Sequence, residues 1–370
     1  MSFLKNSPYY HKELLMTKSK IGILGCGYMA QVAHIPALKS LDTVEITAVC
    51  DARPTLAVEV AKTWDISGAY ESREEFLKED FDAVFILTPV QFHAADIRAA
   101  LQAGKHIFCE KPAAMAAESV RALAELQAKS NRTVSIGYMK RHDNNLHFYK
   151  KLQQDGAWGK LTFIRAHSFV GKHWNAAVND LCKCVSTEQL PSFDAAVLDS
   201  GPGWIRNTRD AVFYSFENPY YGLLDTGCHT VNLIRYLAEK TPLVTAVRNQ
   251  AGVRLIDFDF DGFSGSMEFS LNFRMYRWDE VTELYFENAS VRILTPPPLD
   301  RQATSLIEIY SENGDSKQQL TLQDNHQWAF RAQAETFIGR LQSGEVYSDL
   351  DDAEKDIEII EQIYRKEMNQ

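Results

Sequence analysis

Over the first 140 positions of the chain, short β-branched apolar runs alternate with amphipathic stretches. The runs predict strands at Lys20 to Leu24, Val44 to Cys50, Ala83 to Leu87, His106 to Cys109 and Thr133 to Tyr138. Between them, helical periodicity covers Met29 to Leu41, Thr55 to Trp64, Ala94 to Ala103 and Ala116 to Lys129. Apolar runs without polar alternation suit parallel strands covered on both faces, and regular β-α alternation predicts a doubly wound sheet. After Tyr138 the pattern changes. Leu161 to Phe169, Val244 to Val247, Ser264 to Phe273, Val281 to Phe286, Val291 to Leu294, Leu306 to Tyr310 and Gln319 to Leu322 read as strands. Turn signals such as Glu312-Asn313-Gly314-Asp315 join them, which predicts a large, mostly antiparallel sheet. Helices flank it at Asp225 to Leu237, Gln327 to Leu341 and Asp351 to Met368, making the second domain α+β.

Composition narrows the class without naming a substrate. The 370 residues suffice for two domains with their own cores, and 45% hydrophobic with 24% charged residues is a globular balance. The net charge of −10 argues against a nucleic-acid-binding surface. No apolar run approaches the ~18 residues that cross a bilayer, and Met1 to Lys20 lacks the apolar core of a secretory signal. Six cysteines (Cys26, Cys50, Cys109, Cys182, Cys184 and Cys228) show neither pairing nor metal spacing. Reduced thiols, a cytoplasmic setting and no metal are expected; Cys182-Lys183-Cys184 has no His or Cys cluster to complete a zinc site.

The strongest local motif is Gly25-Cys26-Gly27-Tyr28-Met29-Ala30, a G-x-G-x-x-A directly after a strand and at a helix start. Gly25 permits the tight turn, Gly27 lets backbone approach a pyrophosphate, and Ala30 allows close helix packing. The helix N-terminus attracts the phosphate charge. The next strand ends in Asp51, placed to accept hydrogen bonds from ribose hydroxyls. Arg53 is either a solvated residue at a helix start or a partner for a 2′-phosphate. NAD is therefore the expected cofactor, with NADP as the open alternative. Residues 18–140 read as a dinucleotide-binding Rossmann domain behind an extension over 1–17, and 141–370 as a substrate-binding and oligomerisation domain.

Three further motifs carry a resemblance. Thr88-Pro89-x-x-x-His93 follows the strand ending at Leu87, Glu110-Lys111-Pro112 follows that ending at Cys109, and Asp225-x-Gly227-x-His229 opens a helix of the second domain. With these in this order the chain resembles the Gfo/Idh/MocA oxidoreductases, named after glucose-fructose oxidoreductase and inositol dehydrogenase, from about Lys20 to the C-terminal helices. The resemblance implies cofactor contacts for Thr88, Pro89, His93, Glu110 and Lys111, and a catalytic set of Lys111, Asp225 and His229. The residues fit that chemistry. Oxidising a secondary alcohol needs a group to take the hydroxyl proton as hydride departs, and Lys111 lies at the carboxyl end of a parallel strand, where open sheets bind ligands. Asp225, His229 and Asn232, spaced i, i+4, i+7, would share one helical face as substrate contacts. His229 is expected to accept the proton while Lys111 hydrogen-bonds the reacting oxygen, although these two roles are exchangeable at this stage. Asp225 would bind a neighbouring hydroxyl or orient the pair. Asn232 stands where the family more usually has Asp, and Lys140 or Arg141 offers a basic residue for the cleft.

From Gly171 to Tyr221 periodic signals are few, as in a lid or binding loop. Its aromatic residues, among them His173, Trp174, Trp204, Phe213, Tyr214, Phe216, Tyr220 and Tyr221, suit either the apolar face of a sugar ring or a subunit interface. His173 and Trp174 are the first candidates for substrate contact. The expected activity is hydride transfer between a nicotinamide cofactor and a secondary alcohol or ketone of a sugar, glycoside or cyclitol. A redox-neutral glycoside-processing enzyme that uses NAD transiently is the alternative, and a non-catalytic NAD(P)-binding regulator a more distant one. The family resemblance also implies a homodimer or homotetramer.

Overall fold

A computed structural model describes residues 18–155, 158–172, 181–188, 198–205, 211–271, 274–323 and 327–369. Strands β1 (Ser19–Leu24), β2 (Val44–Cys50), β3 (Gly68–Tyr70), β4 (Ala83–Ile86), β5 (His106–Cys109) and β6 (Val134–Ile136) form a wholly parallel sheet in the order β3-β2-β1-β4-β5-β6. The order reverses between β1 and β4, so the loops leaving these two strands diverge and open a crevice. Helices α1 (Ile35–Lys39), α2 (Pro54–Trp64), α3 (Arg73–Phe76), α4 (Val90–Gln102) and α5 (Ala117–Ser130) make the crossovers. Alternation along β4 shows why both faces need cover: Phe85 packs with Ile21, Ile23 and Phe108, while Val84 and Ile86 pack with Ile97, Val120 and Leu123 on the other side.

The second sheet has eight strands: β7 (Leu161–Val170), β8 (Leu243–Gln250), β9 (Val253–Asp259), β10 (Ser264–Leu271), β11 (Asp279–Phe286), β12 (Ala289–Leu294), β13 (Leu306–Asn313) and β14 (Ser316–Leu322). Their order is β14-β13-β12-β11-β7-β10-β9-β8. Every pairing is antiparallel except that of the central β7 with β10. Helices α6 (Asn144–Gln154), α7 (Pro219–Gly222), α8 (Cys228–Ala238), α9 (Ala329–Ser343) and α10 (Leu350–Met368) follow among the described residues.

Two departures from the sequence expectation shape the site. A π turn interrupts the α-helical register both beside the glycine loop, where Ala30–His34 runs into α1, and around Asp225, where Leu223–Gly227 joins α7 to α8. Packing also departs from a division at residue 140: Ala334, Phe337 and Ile338 of α9 enter the same core as Ile21, Ile23 and Phe85, so the C-terminal region helps to cover the first sheet.

Candidate active site

The crevice at the switch point holds a cavity of about 730 Å³ lined by Gly25, Gly27, Tyr28, Met29, Asp51, Arg53, Arg73, Thr88, Pro89 and Asp96, among others. Gly25 has φ +98°, and an added Cβ would stand 2.7 Å from the Leu87 carbonyl carbon. At Gly27 a Cβ would meet nothing within 4 Å. This glycine leaves open space above the chain where a diphosphate would approach, so the residues present fit a dinucleotide. Ala30 is fully buried in the π turn behind them. Asp51 is held from two sides: its Oδ2 accepts from Cys26 N at 2.9 Å and Arg53 Nη2 at 3.0 Å, and its Oδ1 from Arg53 N at 3.0 Å and Nε at 2.8 Å. Arg53 therefore folds back onto Asp51. Thr88 donates to Asp96 Oδ2 at 2.7 Å, and Asp96 in turn pairs with Arg73 at 2.9 Å. Burial raises the Asp96 carboxyl despite these partners.

A second cavity of about 370 Å³ adjoins the first, sharing Met29, Leu87, Thr88 and Pro89, and is bordered by Glu110, Lys111, Asp225, Thr226 and His229. Apart from His93, its other walls are largely apolar, among them Met139, Val170, Phe216, Tyr221, Trp278, Leu299 and Phe330. Lys111 Nζ donates to the Asp225 carbonyl at 2.8 Å and to Oδ1 at 3.2 Å, closing 114 residues of chain separation. Burial pulls the Lys111 ammonium down, but the charges of Asp225, Cys228 and Glu110 outweigh it and hold its pKa above the ordinary value. His229 responds in the opposite sense. Burial, then the Lys111 and Lys140 cations, push its pKa well below 6.5. Its Nδ1 is buried without a hydrogen-bond partner, and the residue borders the cavity. The pair thus offers a fixed cation beside a neutral imidazole.

The peptide before Pro112 is cis. Glu110 anchors the loop: Oε1 meets His34 Nε2 at 2.7 Å and Oε2 accepts Lys111 N at 3.1 Å. Burial would raise the Glu110 carboxyl, yet His34 and Lys111 bring it below its usual range. His93, expected against the cofactor, is fully buried with ring nitrogens 2.7 Å from the carbonyls of Thr88 and Pro112. It ties the two loops together while still bordering the smaller cavity.

Two expected substrate contacts stand elsewhere. Asn232 is buried and donates to Asp356 Oδ2 at 2.6 Å, and Arg141 pairs with Asp352 at 2.7 Å against the rings of Tyr138 and Tyr236. Of the expected polar stripe, Asp225 and His229 border the cavity, whereas Asn232, three residues further along α8, turns its amide onto Asp356 instead. Lys140 is buried in a pair with Glu280 at 2.5 Å. His173 and Trp174 lie outside the described residues. Of the remaining loop aromatics, Phe216 and Tyr221 line the cavity, Phe213 and Tyr220 are core, Tyr214 donates to the Asp199 carbonyl, and Trp204 packs beside Tyr364. Sequence reasoning missed Arg73, Asp96, His34, Thr226 and Trp278. Only the first three carried a signal, as polar residues on helices that start at the carboxyl ends of strands.

Residues 19–138 match the model of a family described as an oxidoreductase family with an NAD-binding Rossmann fold. Over 150 residues the chain is 35% identical to an inositol 2-dehydrogenase/D-chiro-inositol 3-dehydrogenase of Shouchella clausii, an alignment covering 40% of this chain and 43% of the relative. An inositol 2-dehydrogenase of Corynebacterium glutamicum is 27% identical over 292 residues, 77% of each chain. In three dimensions the fold matches levoglucosan dehydrogenase in complex with NADH and levoglucosan, with a TM-score of 0.74 at 17% identity over 95% of this chain and 98% of that one. It also matches the 3-ketoreductase KijD10 from Actinomadura kijaniata, in complex with NADP and TDP-benzene, with a TM-score of 0.70 at 16% identity over 95% and 98%.

Proposed function

We propose that this chain, whose residues 19–138 match the NAD-binding Rossmann model of that oxidoreductase family and which resembles the Gfo/Idh/MocA oxidoreductases, transfers a hydride between a nicotinamide cofactor and a secondary alcohol or ketone of a sugar, glycoside or cyclitol. The observation that carries this reading is the gathering of Lys111, Asp225 and His229 in the lining of the smaller cavity, which adjoins the dinucleotide crevice. Gly25, Gly27 and the turn after β1 would hold the diphosphate, and Asp51 the ribose. When bound, the nicotinamide supplies the hydride acceptor or donor.

The remaining work falls to side chains. Lys111, anchored by two hydrogen bonds to Asp225, keeps a third N–H for the reacting oxygen and stabilises the charge that develops there. His229 takes the hydroxyl proton, or returns it in the reverse direction; its low pKa keeps it in the neutral form that has a free lone pair. Apolar walls exclude water and leave one polar side to choose the hydroxyl. NAD is preferred over NADP on this reading, since Asp51 repels a 2′-phosphate and Arg53 is already committed to Asp51. We also infer a cytoplasmic setting, no nucleic-acid partner, and a homodimer or homotetramer formed through the face of the second sheet that carries Arg165, Glu268, Glu283 and Arg292.

The test is nicotinamide absorbance with a panel of sugars, glycosides and inositols, supplied with both cofactors in both redox states. Net turnover is expected, and Lys111→Ala and His229→Ala should each lower kcat by about 10²–10⁴-fold while NADH still binds. The acid limb of kcat/KM should fall below pH 6.5, because His229 resists protonation. Near wild-type turnover in both variants would refute the assignment. Tight NADH binding without net turnover would favour the redox-neutral reaction.

A further inference from the structure

Where α8 packs on α10, outside the lining of the cavity, lies a buried polar cluster that the reaction does not use. Asp356 of α10 is fully buried, and both its oxygens are taken: Oδ1 by Arg235 Nη1 at 2.5 Å and Oδ2 by Asn232 Nδ2 at 2.6 Å. Arg235 also reaches Asp352 Oδ1 at 2.7 Å and the Asp352 carbonyl at 3.0 Å. Asp352 Oδ2 accepts from Arg141 at 2.7 Å, and the Arg141 guanidinium lies over the Tyr138 ring, whose plane meets His229 edge-on at a centroid distance of 6.3 Å. Asn232 and Arg235 follow His229 by three and six residues within α8. At 3.6 residues per turn they lie about 60° and about 120° round the axis from His229, so their side chains grip α10 from the flank that adjoins His229.

We propose that Asp356 is a positioning residue: through Asn232 and Arg235 it fixes the rotation of α8 that aims His229 into the cavity. The proposal rests on the reading of His229 as the proton acceptor. An apolar seam would hold α8 against α10 equally closely but would not fix its rotation, whereas two directional hydrogen bonds to one carboxylate admit a single setting. The charges balance, with Arg141 and Arg235 against Asp352 and Asp356; Tyr138 and Cys228 are the other titratable groups that face Asp356. The cluster also explains the amide at position 232. A carboxylate there would turn lone pairs onto Asp356 at hydrogen-bond distance, and two carboxylates so placed cannot both ionise. Burial raises the Asp356 carboxyl to about 6 against the pull of Arg235, so this carboxylate has no reserve with which to tolerate a second one.

The test uses histidine-selective ¹³C NMR, with the His229 signal identified by its loss in His229→Gln, alongside panel turnover. Asn232→Asp should shift the His229 signal and lower turnover by about 10- to 100-fold at pH 8, the cost of a misplaced catalytic group. Turnover should recover towards wild type below pH 6, where one carboxyl is protonated and can donate. The exchange variant Asn232→Asp/Asp356→Asn restores one donor and one acceptor, so its His229 signal and turnover should return close to wild type. Should Asn232→Asp fail to fold, Asp356→Asn, which a turn of the Asn232 amide can accommodate, serves instead: it should remove a small inflection of the His229 signal near pH 6. An unmoved signal in folded Asn232→Asp, an exchange variant no better than the worse single, or an inflection that persists in Asp356→Asn would overturn the proposal. The NMR readout needs no substrate. An enzyme that turns nothing over but shows these shifts would keep the positioning role and lose the reaction.

Discussion

An added methyl group meets opposite surroundings at two glycines of the same loop. At Gly25 it would press into the Leu87 backbone at a φ of +98°, a conformation that costs a side chain about 1–3 kcal/mol before any clash. At Gly27 it would project into open space. Gly25→Ala should therefore lower Tm by several degrees, whereas Gly27→Ala should keep the wild-type Tm and weaken NADH binding by about tenfold or more, read by fluorescence titration; one methyl closes the diphosphate's approach. Equal losses of Tm in both variants would refute that division. Lys111, Asp225 and His229, which border the smaller cavity, were legible in the chain because each sits in a short motif at an element end. Asn232 and Arg141 were misplaced for a physical reason: their partners, Asp356 and Asp352, lie more than a hundred residues away and leave no local trace.

Among the elements, those with a clean period were read within a few residues, as β2 and β5 show. Strand β9 was missed because Arg254 occupies an inward position between Val253 and Leu255; Glu367 on α10 neutralises it at 2.6 Å, which no local pattern discloses. Strand β3, at three residues, is too short for periodicity, and α6 is too polar, burying only Asn145, Leu146 and Tyr149. The segment 181–188 was read only as part of a long loop, yet it is strapped to the first domain. The Gln31 amide donates to the carbonyls of Cys26 and Cys184 at 3.0 and 2.8 Å and accepts from Cys184 N at 2.9 Å, and Thr55 donates to Glu188 at 2.5 Å. Gln31→Ala should release this strap. Cys184, buried here, should then react with a thiol reagent at least about tenfold faster, consistent with about 1–3 kcal/mol for the lost bonds, as read by mass spectrometry. Unchanged labelling of Cys184 would show that the strap holds without Gln31.

At the scale of the whole molecule, the two sheets were foreseen, but not how far the later chain reaches back over the earlier one. Helix α9 seals the first sheet and the strap crosses its helices, so the cavity is built jointly. The charged ladder on the second sheet, with Tyr285 and Tyr310 exposed along it, should bring copies of the chain together. Light scattering should give two or four times the 42.0 kDa chain mass, and a strictly monomeric mass at micromolar concentration would remove that inference. The place of β7 has a consequence for biosynthesis. It is the central strand and leads through Val170 into the cavity, yet it pairs only with β10 and β11, which follow it by about ninety residues or more. At about 5–20 residues per second of translation, β7 stays unpaired for about 5 to 20 seconds on the ribosome. Both its edges lack their partners during that time, so the strand around which the second domain is assembled is the one longest open to mispairing in synthesis.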